Sequence, residues 1–221
     1  MPKIVVLIPA YNEEDKIAAT IAGALSIPNV DEIVVIDDGS TDSTASAAIE
    51  NGANLIKMGK NSGKGAALNK GVFQYPADIY LLIDADLAET AIETKKLLEP
   101  VLADEADMSI AIMQAPTGHK AGFGCVLKVA RWAIKKYGGV EVKAPISGQR
   151  AIKKEVLYAI GEFESGFGVE TALTIDALKN GFKIVEVPVA LAHRYSGRNL
   201  KGFLHRGHQF WDILKVIWKR K

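Results

Sequence analysis

The chain has 221 residues, nearly half of them apolar and about a quarter charged, the balance of a globular protein long enough to bury a substantial core. Its formal net charge is +1, which argues neither for nor against nucleic acid, and no motif below calls for it. One cysteine, Cys125, excludes an internal disulfide, no secretory leader precedes Lys3, and no apolar run approaches the roughly 18–20 residues of a spanning helix. The expectation is a cytoplasmic protein.

In chain order, Lys3–Pro9 (KIVVLIP) is an apolar run of strand length closed by a proline, as expected of a strand buried on both faces. Asn12 is placed to cap a helix, with Glu13, Glu14 and Asp15 in the first turn and Ile17, Ile21 and Leu25 at helical spacing. Glu32–Asp37 (EIVVID) predicts a second buried strand, Gly39-Ser40-Thr41-Asp42 a turn and cap, and Ser43–Asn51 a helix. A short strand over Asn54–Met58, a helix over Gly63–Phe73, a strand over Ile79–Ile83 ending on Asp84, a helix over Thr90–Leu102 and a strand over Met108–Met113 follow. This alternation predicts a parallel sheet with right-handed crossovers.

After Gln114 the rhythm changes. Gly118, Gly122 and Gly124, with His119 and Lys120, mark a loop. A helix is expected over Cys125–Tyr137, a strand over Ile146–Ile152, a helix over Val169–Lys179 and a strand over Phe182–Leu191, where Pro188 points to an edge or a bulge. Leu200–Trp218 reads as a last helix with an apolar stripe that includes Phe203, Phe210 and Trp218, and residues 199–221 hold six cations against one acid. With no repeat and no linker, one domain over 1–221 is expected.

In an open parallel sheet, ligands bind beyond the carboxyl ends of the strands. Three acidic turns fall there: Pro9-Ala10-Tyr11-Asn12-Glu13-Glu14, Asp37-Asp38-Gly39-Ser40-Thr41-Asp42 and Asp84-Ala85-Asp86. Carboxylates crowded on one rim repel unless something compensates, and a divalent cation is the simplest compensation. Asp84 and Asp86, two apart at a strand end, point the same way if extended, and suit a hard ion such as Mg2+ or Mn2+. Against this, Asp86 could merely cap the next helix while Asp84 is solvated. Lys64, at the start of a helix, opposes the helix dipole, so it is either a tolerated surface lysine or meets an anion drawn to the helix N-terminus. The stretch is neither a Walker A loop, since Met58 and Gly65 stand where Gly and Ser/Thr are needed, nor a dinucleotide fingerprint, since Leu68 breaks it.

Taken together and in this order, Pro9–Glu14, Val35–Asp42, Gly63-Lys64-Gly65-Ala66-Ala67 and Asp84-Ala85-Asp86 resemble the family 2 type of glycosyltransferase with a GT-A fold: a Rossmann-like, mostly parallel α/β sheet flanked by helices, here with a C-terminal amphipathic helix. The resemblance implies a nucleotide-sugar-binding half (1–113), an acceptor half (114–198) and a basic terminal helix (199–221). It implies that Pro9, Ala10, Asn12 and Glu13 line a nucleoside pocket and that Asp38 meets the base. Lys64 would lie near base or phosphates, and Asp84 with Ala85 would face the ribose or metal. Asp86 would bind the metal. Pro145–Arg150, Gly166–Glu170, Glu186-Val187-Pro188 and His193-Arg194 are similar, less tightly, to glucosyl-3-phosphoglycerate synthases and to polyprenyl-phosphate mannose or glucose synthases. That likeness makes His193 a candidate third metal ligand, although a lone histidine is more often structural. It places Ser147, Gly148, Gln149 and Arg198 on the acceptor side. Gly118, His119 and Lys120 fit a loop that closes on an acceptor phosphate, or a plain surface loop.

The resemblance implies transfer of a hexose from a UDP- or GDP-sugar to a phosphorylated small-molecule or lipid acceptor. The metal would neutralise the departing diphosphate, with Arg194 or Lys64 sharing the charge. Many inverting relatives carry a Glu-Asp pair where this chain has Glu170-Thr171. Either the acceptor is a phosphate that needs no base, or configuration is retained with Glu170 positioning the substrates; the choice stays open. The aromatics and cations of 200–218 suit peripheral membrane contact, or equally a helix packed on the domain or at a homodimer interface. Two other classes compete. A sugar-phosphate nucleotidyltransferase would show a Gly-rich, Arg-containing loop after strand one, where this chain has Pro9-Ala10-Tyr11-Asn12. A non-catalytic nucleotide-binding or membrane-associated module would have no use for Asp84, Asp86 and His193 together.

Overall fold

The structure, a computed structural model, describes residues 1–113, 124–164, 166–191 and 218–220. Gly118, His119, Lys120, His193, Arg194, Arg198 and the helix expected over Leu200–Trp218, its last residue excepted, lie outside the described residues.

Strands β1 (Ile4–Ala10), β2 (Glu32–Asp37), β3 (Asn54–Lys57), β4 (Ile79–Leu82), β5 (Met108–Met113), β6 (Arg150–Lys153) and β7 (Ile184–Val189) form one seven-stranded sheet in the order β3-β2-β1-β4-β6-β5-β7. The β1–β2, β1–β4, β2–β3 and β5–β7 pairs are parallel, while β6 runs antiparallel to both β4 and β5. The helices are α1 (Ile17–Leu25), α2 (Thr44–Glu50), α3 (Lys64–Gln74), α4 (Lys95–Leu102), α5 (Gly124–Gly138), α6 (Lys154–Ile160) and α7 (Val169–Lys179). This is the mostly parallel α/β architecture expected, with Pro188 in the edge strand β7 as anticipated.

Side chains alternate across β1 and β2, so each apolar run feeds two cores. Ile4, Val6, Ile8, Ile33 and Val35 pack with Ile17 and Ile21 of α1 and with Leu97, Leu98 and Val101 of α4. Val5, Leu7, Val34 and Ile36 face the other way, onto Leu68 of α3 and Leu173 of α7. A smaller cluster joins Val126, Ala130, Ala133 and Ile134 of α5 to Ala172 and Ile175 of α7. No described helix is long and apolar enough to cross a membrane.

Four expectations change. Asn12 is not a helix cap: α1 begins at Ile17, and Asn12 sits at φ 55 with its Oδ1 accepting the Thr41 N–H at 2.8 Å. That bond pins the loop after β1 to the loop after β2, and the left-handed conformation is one asparagine tolerates. The helix read over Thr90–Leu102 is a 3-10 segment, Ala88–Thr94, followed by α4. The strand read over Ile146–Ile152 is β6, shorter, shifted and reversed. Helix α6 follows it immediately, where no helix was expected.

Candidate active site

The carboxyl ends of β1, β2 and β4 meet the amino end of the reversed strand β6, so residues 10–14, 37–42, 84–86 and 147–149 share one rim. Its first two turns interlock. The Asn12 N–H donates to Ser40 Oγ at 3.0 Å, the Glu13 N–H to Thr44 Oγ1 at 2.9 Å, and Glu14 Oε2 accepts the Ser43 N–H at 2.9 Å. Pro9 and Ala10 are the last two residues of β1, paired with Ile36 and Asp37.

Asp38 is buried, and both its oxygens accept backbone N–H groups, from Ser62 at 2.8 Å and Gly63 at 2.7 Å. It thereby fixes the loop that delivers Lys64 as the first residue of α3. Gly65 lets that helix end seat closely: a Cβ there would lie 2.0 Å from the Glu164 carbonyl oxygen. Asn69 adds a pair of bonds with the backbone of Phe163, at 2.8 and 3.2 Å.

Lys64 Nζ lies 2.7 Å from Asp84 Oδ1 and 3.0 Å from Glu170 Oε1. The anion met at this helix start is thus the protein's own pair of carboxylates, and the side chain keeps only 28% of its exposure. Burial pulls the Lys64 pKa down, but the Asp84 and Glu170 charges and hydrogen bonds override it and hold the ammonium above its ordinary value. Gln149 Nε2 donates to the other Asp84 oxygen, and Ser147 Oγ donates to Gln149 Oε1 at 3.2 Å. Gly148 passes directly over this pair: a Cβ would come within 2.3 Å of Lys64 Nζ and 2.9 Å of Asp84 Oδ1. A side chain there would have to displace the Lys64 ammonium or the Asp84 carboxylate.

Two supports were missed in the sequence. Arg150, 1% exposed, donates Nε to the Ser147 carbonyl at 2.9 Å, one terminal nitrogen to Thr174 Oγ1 at 2.9 Å and the other to the Glu170 carbonyl at 3.0 Å. It ties the 147–149 turn to the start of α7. Burial pushes its pKa down to about 10, against support from the Glu170 and Glu186 charges. An arginine set directly before the apolar pair Ala151-Ile152 was the available signal. Thr20, wholly buried in α1, donates its hydroxyl to the Ala85 carbonyl at 2.8 Å and accepts the Ala88 N–H at 2.9 Å. It staples the turn that carries the acidic triplet.

That turn departs from the extended geometry expected, since Ala85 and Asp86 form a turn rather than a continuation of β4. Asp86 is 9% exposed, and its backbone carbonyl accepts Lys16 Nζ at 3.3 Å. The rim's carboxylates are compensated largely by backbone N–H groups and Lys64, not by a cation alone. The Ser40 N–H donates to Asp37 at 2.9 Å, and the Thr44 and Glu14 N–H groups donate to Asp42 at 3.0 and 3.3 Å.

Among the described residues no three histidine, cysteine or acidic side chains cluster as metal ligands. A hard divalent ion, however, needs only one or two carboxylates beside substrate phosphates. Among the described residues at the rim, the carboxylates of Asp84, Asp86 and Glu170 outnumber the ammonium groups of Lys64 and Lys16, and all three are oxygen donors. The residues present therefore fit such an ion.

Comparison with known proteins agrees with this fold. The model of glycosyl transferase family 2 matches residues 5–161. Glucosyl-3-phosphoglycerate synthase from Mycobacterium tuberculosis, solved with Mn2+, uridine diphosphate and glucosyl-3-phosphoglycerate, is 29% identical and superimposes with a TM-score of 0.81 over 99% of this chain and 80% of that one. A dolichol-phosphate mannosyltransferase of Pyrococcus furiosus is 30% identical over 98% of this chain and 63% of its own length. An uncharacterized protein of Methanocaldococcus jannaschii is 31% identical over 98% of this chain and 90% of its own.

Proposed function

The chain belongs to glycosyl transferase family 2, and from that premise we propose that it moves a hexose from a UDP- or GDP-sugar to a phosphorylated acceptor. A phosphorylated small molecule such as 3-phosphoglycerate and a polyprenyl phosphate are the two acceptor types in view. The observation that carries the reading is the Lys64–Asp84–Glu170 array under Gly148: a fixed cation between two carboxylates, at the rim where an α/β sheet binds nucleotides.

Each part has a role. Pro9 and Ala10 at the end of β1, with Asn12 and Glu13 on the interlocked loop that follows, line the nucleoside pocket, and Asp38 holds its floor. Asp84 has both oxygens oriented by Lys64 and Gln149, but a carboxylate oxygen accepts more than one bond, so it can also take a ribose hydroxyl. Lys64 orients Asp84 and Glu170 and places positive charge where the diphosphate departs. A divalent ion, Mg2+ or Mn2+, held by Asp86 with Asp84 beside it, would add Lewis-acid neutralisation of that diphosphate. Glu170, paired with Lys64, is a positioning group. An acceptor that arrives with its own anionic phosphate suits that arrangement. Ser147, Gly148 and Gln149 form the acceptor side of the same rim.

The test is incubation with Mn2+ or Mg2+, a panel of UDP- and GDP-sugars, and 3-phosphoglycerate or a polyprenyl phosphate, following nucleotide release and glycosylated product. Metal-dependent release with one phosphorylated acceptor, lost in Asp86→Ala, is expected. Absence of nucleotide-sugar binding, together with no effect of Asp86→Ala on any activity found, sinks the reading.

A further inference from the structure

Helix α5 carries Lys128, Arg131, Trp132, Lys135 and Lys136 at positions i, i+3, i+4, i+7 and i+8, so they run along one face. All five are exposed, Trp132 by 50%, and α5 contains no acidic residue. This is not the packing face, because Val126, Ala130, Ala133 and Ile134 hold α5 to α7 from the other side. The nearby groups leave most of the charge outward. Exposed Glu141 pairs with Lys135, and Arg131 donates to the Lys143 carbonyl.

A second element reaches the same surface. Lys136 Nζ stands 4.8 Å from the Trp132 ring centroid and 5.5 Å from that of Tyr137, and Lys179 Nζ stands 5.7 Å from the Tyr137 ring centroid. Lys179 also donates to the Arg220 carbonyl at 2.8 Å, which draws residues 218–220 to this edge. Trp218 is 79% exposed there. Lys219 and Arg220 are balanced by Glu164 and Asp176 and add little to the outward charge.

A single exposed aromatic needs no explanation. Two exposed indoles from distant parts of the chain, with the Lys128, Arg131 and Lys136 charges turned outward beside the first, match a phospholipid surface: phosphates for the cations, and the interfacial layer for the indoles. Lys136 occupies one face of the Trp132 ring, a face on which a nucleobase would otherwise stack. We propose that the α5 face, with Trp132 and Trp218, rests on an anionic lipid bilayer. None of these residues belongs to the Lys64–Asp84–Glu170 array, so the proposal stands or falls apart from the transfer reading.

The full chain is sedimented with phosphatidylglycerol/phosphatidylcholine vesicles, with phosphatidylcholine vesicles alone, and at low and high salt. The variants are the double charge reversal Lys135→Glu/Lys136→Glu and Trp132→Ser. Each lysine near an anionic surface is worth about a factor of five in partitioning, so the double reversal is expected to weaken binding at least tenfold, roughly, with high salt acting in the same direction. Nucleotide-sugar binding without vesicles is expected to match between wild type and variants, which shows that they are folded. Wild-type protein left in the supernatant with anionic vesicles overturns the proposal, as do folded variants that sediment like wild type. Tighter binding to a single-stranded oligonucleotide than to anionic vesicles also overturns it.

Discussion

Replacing Gly148 with alanine would put a methyl carbon 2.3 Å from Lys64 Nζ and 2.9 and 3.1 Å from the two Asp84 oxygens. The backbone at Gly148 does not have the positive φ that excludes a side chain, so the substitution acts through this contact alone. The ammonium must withdraw by about an ångström, which stretches or breaks its 2.7 Å bond to Asp84. A hydrogen bond to a charged group contributes roughly 1.5–3 kcal/mol, so about 1.5–3 kcal/mol of donor-site organisation is at stake. If the lost bond orients the donor in the transition state, kcat/KM falls by about 10- to 150-fold. The fold is expected to hold, with a loss of a few degrees in Tm, since a chain of this size loses about 2–4 °C per kcal/mol. The assays are nucleotide-sugar turnover and thermal melting, with Gly59→Ala as control because its Cβ would meet nothing within 4 Å. If Gly148→Ala turns over donor at the wild-type rate, and Lys64→Met does too, the cation between Asp84 and Glu170 has no part in the reaction.

Arg150→Met strips donors from the Ser147 and Glu170 carbonyls and Thr174, and breaking a buried charged network costs about 3–5 kcal/mol; melting should show a loss of roughly ten degrees. Thr20→Val removes a buried hydroxyl that bridges Ala85 and Ala88 at about 1–3 kcal/mol, and loosening the Asp84–Asp86 turn should appear as a raised metal requirement in a Mn2+ titration of activity. Glu164 has a pKa raised by burial but lowered further by the hydrogen bonds and charges of Lys219 and Arg220, so it lies below its ordinary value of 4.5 in the folded protein. Its contribution is complete above pH 4.5 and is lost as pH falls through the depressed folded value. Urea unfolding followed from pH 6 to pH 3 should therefore show a stability component in wild type that is missing in Glu164→Gln, and identical pH profiles would refute it.

What could be read from the sequence depended on range. β1 and β2 announce themselves because strands buried on both faces carry unbroken apolar runs, and α7 was legible from Val169 to Lys179 because Gly181 closes it. The reversal of β6 was not legible, since four residues carry no sign of direction, and α6 is one short turn pair with only Val156 and Leu157 buried. Asn12 was misread because its partner lies 29 residues away, and a cap and a loop-to-loop bond use the same side chain. Lys64, Asp84, Gln149 and Glu170 were each singled out, but their assembly joins positions 20, 65 and 106 residues apart. Local patterns nominate such residues; only the folded sheet brings them together.

The reversed strand has one more consequence. Because β6 runs against its neighbours, the chain leaves the carboxyl rim at the end of β5, after Met113, and re-enters the sheet at that same rim at Arg150. Everything between is an excursion whose two ends sit side by side, with the Ala111 N–H bonded to the Gln149 carbonyl at 3.0 Å. Its length can vary without changing strand register, but its last residues, Ser147–Gln149, are held by Asp84 and Arg150. In engineering terms it is a graft with one fixed end: a segment exchanged between relatives has to keep the glycine and glutamine at 148 and 149, or it disturbs Lys64 and Asp84.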